Sequence, residues 1–213
     1  MNPIGDRLVS TSPRRLTRLQ QAAKRGFDIV ASMLALIVLS PLMLIASALV
    51  AINSPGPVIY RQIRNGLDER PICVLKFRTM YVTADDSFRQ AVRDDCRITR
   101  IGRLFRLTGI DELPQLWNIL RGEMSIVGPR PHAIAHNDLF SSRIDGYARR
   151  HTIKPGLTGL AQVSGFRGET DTIDKMQKRI EYDLYYIDNW SFMLDLQIIL
   201  KTVFSKTTYT NAR

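Results

Sequence analysis

The sequence predicts an α+β fold: a small, mostly helical domain with a short β-hairpin, an N-terminal re-entrant membrane helix-break-helix, and amphipathic interfacial helices. Three observations carry this. Residues 27–52 form one apolar run; past residue 54 only a few short stretches read as strands, two of them paired as a hairpin; and most of the remaining hydrophobic pattern has helical period. At 213 residues, 45% hydrophobic and 23% charged, the chain can bury a core and is too apolar for disorder. A formal charge of +10 calls for anionic partners: nucleic acid, a phosphorylated substrate or acidic membrane lipids. Nucleic acid fits the charge alone, because no binding module or row of stacking aromatics lies among the basic residues. Cys73 and Cys96 lack metal-type spacing and read as reduced thiols in a cytoplasmic setting.

Residues 1–19 are a basic tail, residues 20–53 a membrane segment and residues 54–213 a cytoplasmic, interfacial domain. The membrane segment is divided at Ser40-Pro41 into two halves of 11 residues, Ile29–Leu39 and Leu42–Ile52. Each half rises roughly 16 Å as a helix, too little to cross a bilayer alone. Pro41 removes a hydrogen bond, and the Ser40 hydroxyl can satisfy the backbone group it frees. Lys24 and Arg25 before the run, and Arg61, Arg64 and Arg70 after it, favour both ends on the cytoplasmic side. The expectation is a re-entrant helix-break-helix with Asp28 paired to Arg25 at the interface. A straight span and a buried core helix stand as alternatives.

Ser54-Pro55-Gly56-Pro57 marks the junction to the polar domain. Strands are expected over Val58–Ile63 and Ile72–Met80, joined by a loop holding Asn65-Gly66. Alternation along the second strand puts Lys76 and Arg78 on one face, where two cations can pin a diphosphate or simply face solvent. In residues 97–106 arginine recurs every third position between apolar residues, a basic amphipathic helix suited to a membrane surface.

The stretch Arg106–Pro131 carries the chemistry. A helix is expected over Asp111–Leu120, then a turn at Arg121-Gly122 and a strand Met124–Val127. Six arginines (97, 100, 103, 106, 121, 130) lie between Arg97 and Pro131 against three acids, two of them the adjacent pair Asp111-Glu112. Carboxylates in so cationic a setting suit phosphate chemistry that needs an anionic nucleophile or a metal ligand. The plainer reading is a helix start, with first-turn acids and Pro114 just inside. Gly128-Pro129-Arg130-Pro131 holds one guanidinium on a stiff loop, and Lys154-Pro155-Gly156-Leu157-Thr158-Gly159 is a second rigid turn offering a cation and backbone amides to phosphate. His132 and His136 have metal-type spacing without an obvious third ligand, so no zinc site is expected. Helices are expected over Thr172–Asn189 and Ser191–Phe204, with Tyr182, Tyr185, Tyr186, Trp190 and Phe192 mainly in core packing, an interfacial aromatic cluster being the alternative.

In order along the chain, Ser40-Pro41, Lys76-Phe77-Arg78-Thr79-Met80, Arg97–Arg106, Asp111-Glu112-Leu113-Pro114-Gln115, Gly128-Pro129-Arg130-Pro131, Lys154–Gly159 and the tail from Tyr182 to Leu196 resemble the bacterial sugar transferase family, the monotopic phosphoglycosyl transferases. The resemblance covers residues 20 to about 205. It implies transfer of a hexose 1-phosphate, glucose or galactose, from a UDP-sugar to undecaprenyl phosphate. UMP is released as the first step of exopolysaccharide or capsule synthesis at the cytoplasmic face of the bacterial inner membrane. It also implies that Asp111 is a nucleophile forming a covalent phosphosugar intermediate and a ligand of Mg2+. Glu112 is the second dyad member, as metal-site support or proton acceptor. Lys76, Arg78, Arg106, Arg130 and Lys154 are the expected phosphate- and nucleotide-binding residues. Pro131-His132-Ala133, His136-Asn137 and Arg167–Asp171 resemble the glucose- or galactose-initiating subgroup, and Gly109-Ile110 departs mildly from the family pattern. A homodimer stays open. The rival from another class is a membrane-anchored scaffold with a basic lipid- or partner-binding face, which leaves Asp111, Glu112 and Arg130 without purpose.

Overall fold

The computed structural model describes residues 16–82, 95–166, 168 and 172–204, with the side chain of His136 outside that set. Helix α1 runs Arg18–Asn53 as one continuous element of 36 residues. Its start is a capping box: the Thr17 hydroxyl accepts from the Gln20 amide, and the Gln20 side chain returns a bond to the Thr17 amide. The two separate helices expected from Ser40-Pro41 are not found; Pro41 lies inside α1. Proline leaves the Ile37 carbonyl without its amide donor, and the Ser40 hydroxyl donates to that carbonyl at 2.8 Å. The serine thus repairs the defect locally, and the helix continues.

One stripe of α1 packs on the rest of the protein along nearly its whole length. Lys24, Asp28, Ser32, Ala46 and Val50 are buried, and Ala35, Leu36, Leu39 and Met43 between them join two apolar clusters. The opposite face exposes Val30, Leu34, Ile37, Val38, Leu44, Ile45 and Ile52. Polar fasteners secure the N-terminal half. Lys24 donates to Asp195 at 2.5 Å and to the Tyr186 hydroxyl at 3.2 Å. The Asp28 carboxylate accepts from the Ser125 hydroxyl at 3.1 Å and the Ile126 amide at 3.0 Å. The expected Asp28–Arg25 pair does not form. Arg25 turns instead to the Ile119 and Leu120 carbonyls, at 2.5 and 2.7 Å, where a helix end offers partial negative charge.

Strands β1 (Ile59–Asn65) and β2 (Pro71–Phe77) make the antiparallel hairpin, in the register Ile59 opposite Phe77 and Ile63 opposite Cys73. Helix α2 (Arg100–Thr108) begins at Thr99, whose hydroxyl accepts from the Gly102 amide. Helix α3 (Gln115–Arg121) is shorter than expected, because Ile110–Glu112 forms a separate 3-10 turn ahead of it. Pro114 has no amide to bond back to Ile110; Leu113 takes that carbonyl instead, and the turn stays tight.

Strand β3 (Ser125–Val127) pairs in parallel with β4 (Gly156–Thr158), so part of the expected Lys154–Gly159 turn is a strand. Gly128 and Gly156 lie where these chains touch: a Cβ on either would run into backbone atoms of the other segment. Helices α4 (Ile134–Ser141), α5 (Leu160–Val163), α6 (Ile173–Asp188) and α7 (Phe192–Phe204) complete the order, with a 3-10 stretch Tyr147–Thr152 before β4. The main core gathers Val127, Phe140, Tyr147, Met176, Ile180, Tyr186, Ile187, Trp190 and Ile198. Tyr186 and Trp190 are therefore core residues, while Phe192 packs edge-on against Phe27 of α1 at 5.2 Å.

Lys24 and Asp195 are both almost fully buried, so removing one charge strands the other. Lys24→Met is expected to cost about 3–5 kcal/mol, read by chemical denaturation in detergent. Full stability in that variant would show that α1 is held by its apolar stripe alone.

Candidate active site

Three segments meet at the carboxylate pair. Helix α2 ends at Gly109, which takes φ 74°, a left-handed conformation that glycine adopts without strain. The 3-10 turn that follows carries Asp111 and Glu112, 8% and 6% exposed. The dyad therefore precedes α3 rather than forming its first turn, and the helix-start reading does not account for two buried acids. Strand β2 brings Lys76, which donates to Glu112 Oε1 at 2.8 Å. The Gly128–Pro131 loop brings Arg130, whose Nη2 reaches the same oxygen at 2.6 Å and whose Nη1 lies 3.4 Å from Oε2. Two cations from distant parts of the chain thus close on one glutamate.

Asp111 is different. Among the described residues nothing donates a hydrogen bond to its carboxylate. Burial pushes its pKa above the ordinary carboxylate value, and the charge on Glu112 adds to that. Lys76, Arg106 and Arg130 pull in the opposite direction. Arg106 is positioned from α2, its Nε donating to the Thr79 hydroxyl at 3.0 Å. Burial lowers the Arg106 pKa, with Asp111 as the largest opposing influence. For Arg130 burial would do the same, but Glu112 overcomes it and the pKa is raised. Lys76 is lowered by burial, against the attraction of Glu112. The result is a shielded carboxylate facing three cations, suited to meet a phosphate group.

A divalent cation is compatible with this donor set. Among the described residues no group of three or more His, Cys, Asp or Glu could cage a metal. Mg2+ does not need such a cage: one or two carboxylates suffice, with water and substrate phosphates completing its shell. Asp111 has the oxygens to spare.

Two expected phosphate ligands lie elsewhere. Arg78 shares the second-strand motif with Lys76, but its guanidinium donates to the Ser54 carbonyl at 2.6 Å and the Pro55 carbonyl at 2.7 Å. It latches the end of α1, and Gly56 leaves the room its guanidinium fills. Strand β2 stops at Phe77, so the alternation that paired Lys76 with Arg78 does not extend to Arg78. Lys154 stands at the C-terminal end of α3, near Gly122 and Arg25, whereas the dyad precedes the other end. Burial and the Arg25 charge lower its pKa. His132 sits in a buried network with Tyr147 and Arg150, which gives it a structural role; the partner histidine's side chain lies outside the described residues. Sequence reasoning assigned no role at the site to Thr79, and read Arg64 only as one of the charges flanking the apolar run. Thr79 sits inside the Lys76–Met80 motif, a signal that could have found it. Arg64 carries none.

A family model described as bacterial sugar transferase matches residues 19–208. A UDP-glucose:undecaprenyl-phosphate glucose-1-phosphate transferase of Klebsiella pneumoniae is 54% identical over 190 residues, covering 89% of this chain and 41% of that protein. The protein of the same description in Escherichia coli K12 is 50% identical over 190 residues, with the same coverage of 89% and 41%. The exopolysaccharide production protein PSS of Rhizobium leguminosarum bv. phaseoli is 47% identical over 190 residues, covering 87% of this chain and 95% of that protein. The chain therefore spans about two fifths of the first two relatives and nearly all of the third.

The raised Asp111 pKa has a consequence for stability. The native state binds the Asp111 proton more tightly than the unfolded chain. Stability from this group is therefore present at low pH and is lost as pH rises from the ordinary 3.8 through the folded value. Asp111 therefore contributes less to the fold near neutral pH than in acid. Asp111→Asn is expected to raise the melting temperature by a few degrees at about pH 7 and by less as the solution is acidified. A lowered melting temperature at neutral pH would make Asp111 a structural partner instead.

Proposed function

The chain belongs to the bacterial sugar transferase family, and from that premise we propose that it transfers glucose 1-phosphate from UDP-glucose to undecaprenyl phosphate, the first step of exopolysaccharide synthesis. The observation that carries the proposal is the buried Asp111 carboxylate, free of donors among the described residues and faced by Lys76, Arg106 and Arg130. The names of the Klebsiella and Escherichia relatives supply the donor and acceptor.

In the first half-reaction an Asp111 oxygen attacks the β-phosphorus of UDP-glucose. The bond from that phosphorus to the bridging oxygen breaks, and UMP leaves with the electron pair. In the second, an oxygen of undecaprenyl phosphate attacks the same phosphorus. The bond to Asp111 breaks, undecaprenyl-diphosphate-glucose departs, and the carboxylate is regenerated. Dividing the transfer lets one nucleophile serve a water-soluble donor and a lipid acceptor in turn. Arg106 and Arg130 offset the charge that would repel an anionic nucleophile from a diphosphate. Glu112 holds Lys76 and Arg130 in place and keeps a second negative charge beside Asp111. Asp111 is the residue that would hold Mg2+, which when bound neutralises phosphate charge.

The membrane arrangement follows from α1. Its packed stripe runs from Lys24 to Val50 against one domain, while the outward face is apolar from Val30 to Ile52. A span needs roughly 20 residues surrounded by hydrocarbon, and a straight crossing would carry the domain's polar groups in with it. We infer that α1 is embedded from one side, with both ends at the cytoplasmic surface.

Purified Asp111→Asn should stay folded and membrane-bound yet release no UMP from UDP-glucose. Full release by that variant would end the nucleophile assignment. Cysteines introduced singly at positions 10 and 70 of a cysteine-free protein should both react with a membrane-impermeant label only from the cytoplasmic side. Labelling from opposite sides would establish a span.

A further inference from the structure

The loop that presents Arg130 has an unusual problem of support. Two of its four residues, Pro129 and Pro131, have no amide hydrogen, so the loop can be fixed chiefly through its carbonyls. Three consecutive carbonyls are in fact taken. Pro129 O accepts from the Gly156 amide at 2.9 Å. Arg130 O accepts from Arg150 Nη2 at 2.6 Å. Pro131 O accepts from Arg64 Nη1. The first donor is backbone of β4; the other two are guanidiniums, one from β1 and one from the 3-10 stretch before β4.

Both guanidiniums are braced. Arg150 is 2% exposed and pairs with Asp183 Oδ2 of α6 at 3.0 Å, while its other terminal nitrogen meets His132 Nδ1. Arg64, on β1, donates from Nε and Nη2 to Gln62 Oε1 at 3.1 and 2.7 Å. Crowding carries an electrostatic cost: burial first, then the Arg130 charge, brings the Arg64 pKa down to about 10. Like charges converging on one short loop repel each other, and Arg130 is the one of the three whose hydrogen bonds reach Glu112. A guanidinium's planar fork holds several acceptors in fixed directions, whereas a lysine ammonium is a compact point charge on a flexible stem.

We propose that Arg150 and Arg64 are positioning residues that aim Arg130 at Glu112 and the donor diphosphate by clamping the carbonyls of Arg130 and Pro131. The inference rests on the reading of Asp111 and Arg130 given above. It assigns the two clamps no contact with substrate.

The experiment is steady-state kinetics of Arg150→Lys and Arg64→Gln with UDP-glucose as the varied substrate, in detergent with undecaprenyl phosphate and Mg2+. Folding is monitored by circular dichroism and melting temperature. Each variant is expected to raise the KM for UDP-glucose about tenfold, the scale of one lost hydrogen bond to a charged group. In an Arg130→Ala background neither should raise it further, because the side chain being aimed is gone. A purely structural role would lower melting temperature and active fraction, leave KM unchanged, and add its full effect to Arg130→Ala; any of those kinetic results overturns the proposal. If Arg150→Lys does not fold, the less buried Arg64→Gln decides the matter alone. Asp111→Asn separates the two levels of the argument: UMP release in that variant defeats the underlying reading, while an unmoved KM with an inactive Asp111→Asn defeats only the clamp.

Discussion

The site depends on one buried ion cluster, Glu112 with Lys76 and Arg130. Its three members come from a 3-10 turn, a strand and a proline-rich loop that are far apart in sequence. Each charge alone would be costly to bury, and together they offset much of that cost. The cluster also determines what Asp111 can do. By occupying Glu112, the two cations leave the neighbouring carboxylate without a partner among the described residues. By staying close, they oppose the burial and the Glu112 charge that push the Asp111 pKa up. Adjacent acids in one turn thus acquire opposite environments.

The same economy of cations runs through the attachment of α1. Lys24 meets Asp195, Arg25 meets the end of α3, and Arg78 meets the carbonyls that follow α1. Each is a positive charge placed where backbone or carboxylate oxygens would otherwise be buried unpaired. Arg78 shows the division most clearly. It lies two residues from Lys76, yet one fastens the end of α1 and the other meets Glu112. The helix and the site are therefore built on the same hairpin, so embedding α1 would set the height of the dyad above the lipid.

Much of this was legible in the chain. The hairpin, the terminal helices, the basic amphipathic α2 and the limits of the apolar segment follow from hydrophobic period and from turn residues, which act locally. The dyad and Arg130 stood out by composition: few acids among many arginines. Less legible were the continuity of α1 through Pro41 and the parallel pairing of β3 with β4. The first turns on a single serine hydroxyl reaching Ile37, the second on two glycines that let backbones touch. The position of Lys154 away from the dyad was not legible, because a rigid cationic turn looks the same in sequence whichever end of α3 it lies at.

By itself the sequence determined most of the elements, the family and which acidic pair stands among the arginines, because periodicity, capping and motif composition are written in neighbouring residues. Tertiary structure decided which cations reach that pair. Lys76, Arg106 and Arg130 do; Arg78 and Lys154 do not. That choice depends on where a strand stops and on which carbonyls a guanidinium finds first. Those distances exist only once segments remote in sequence are packed together.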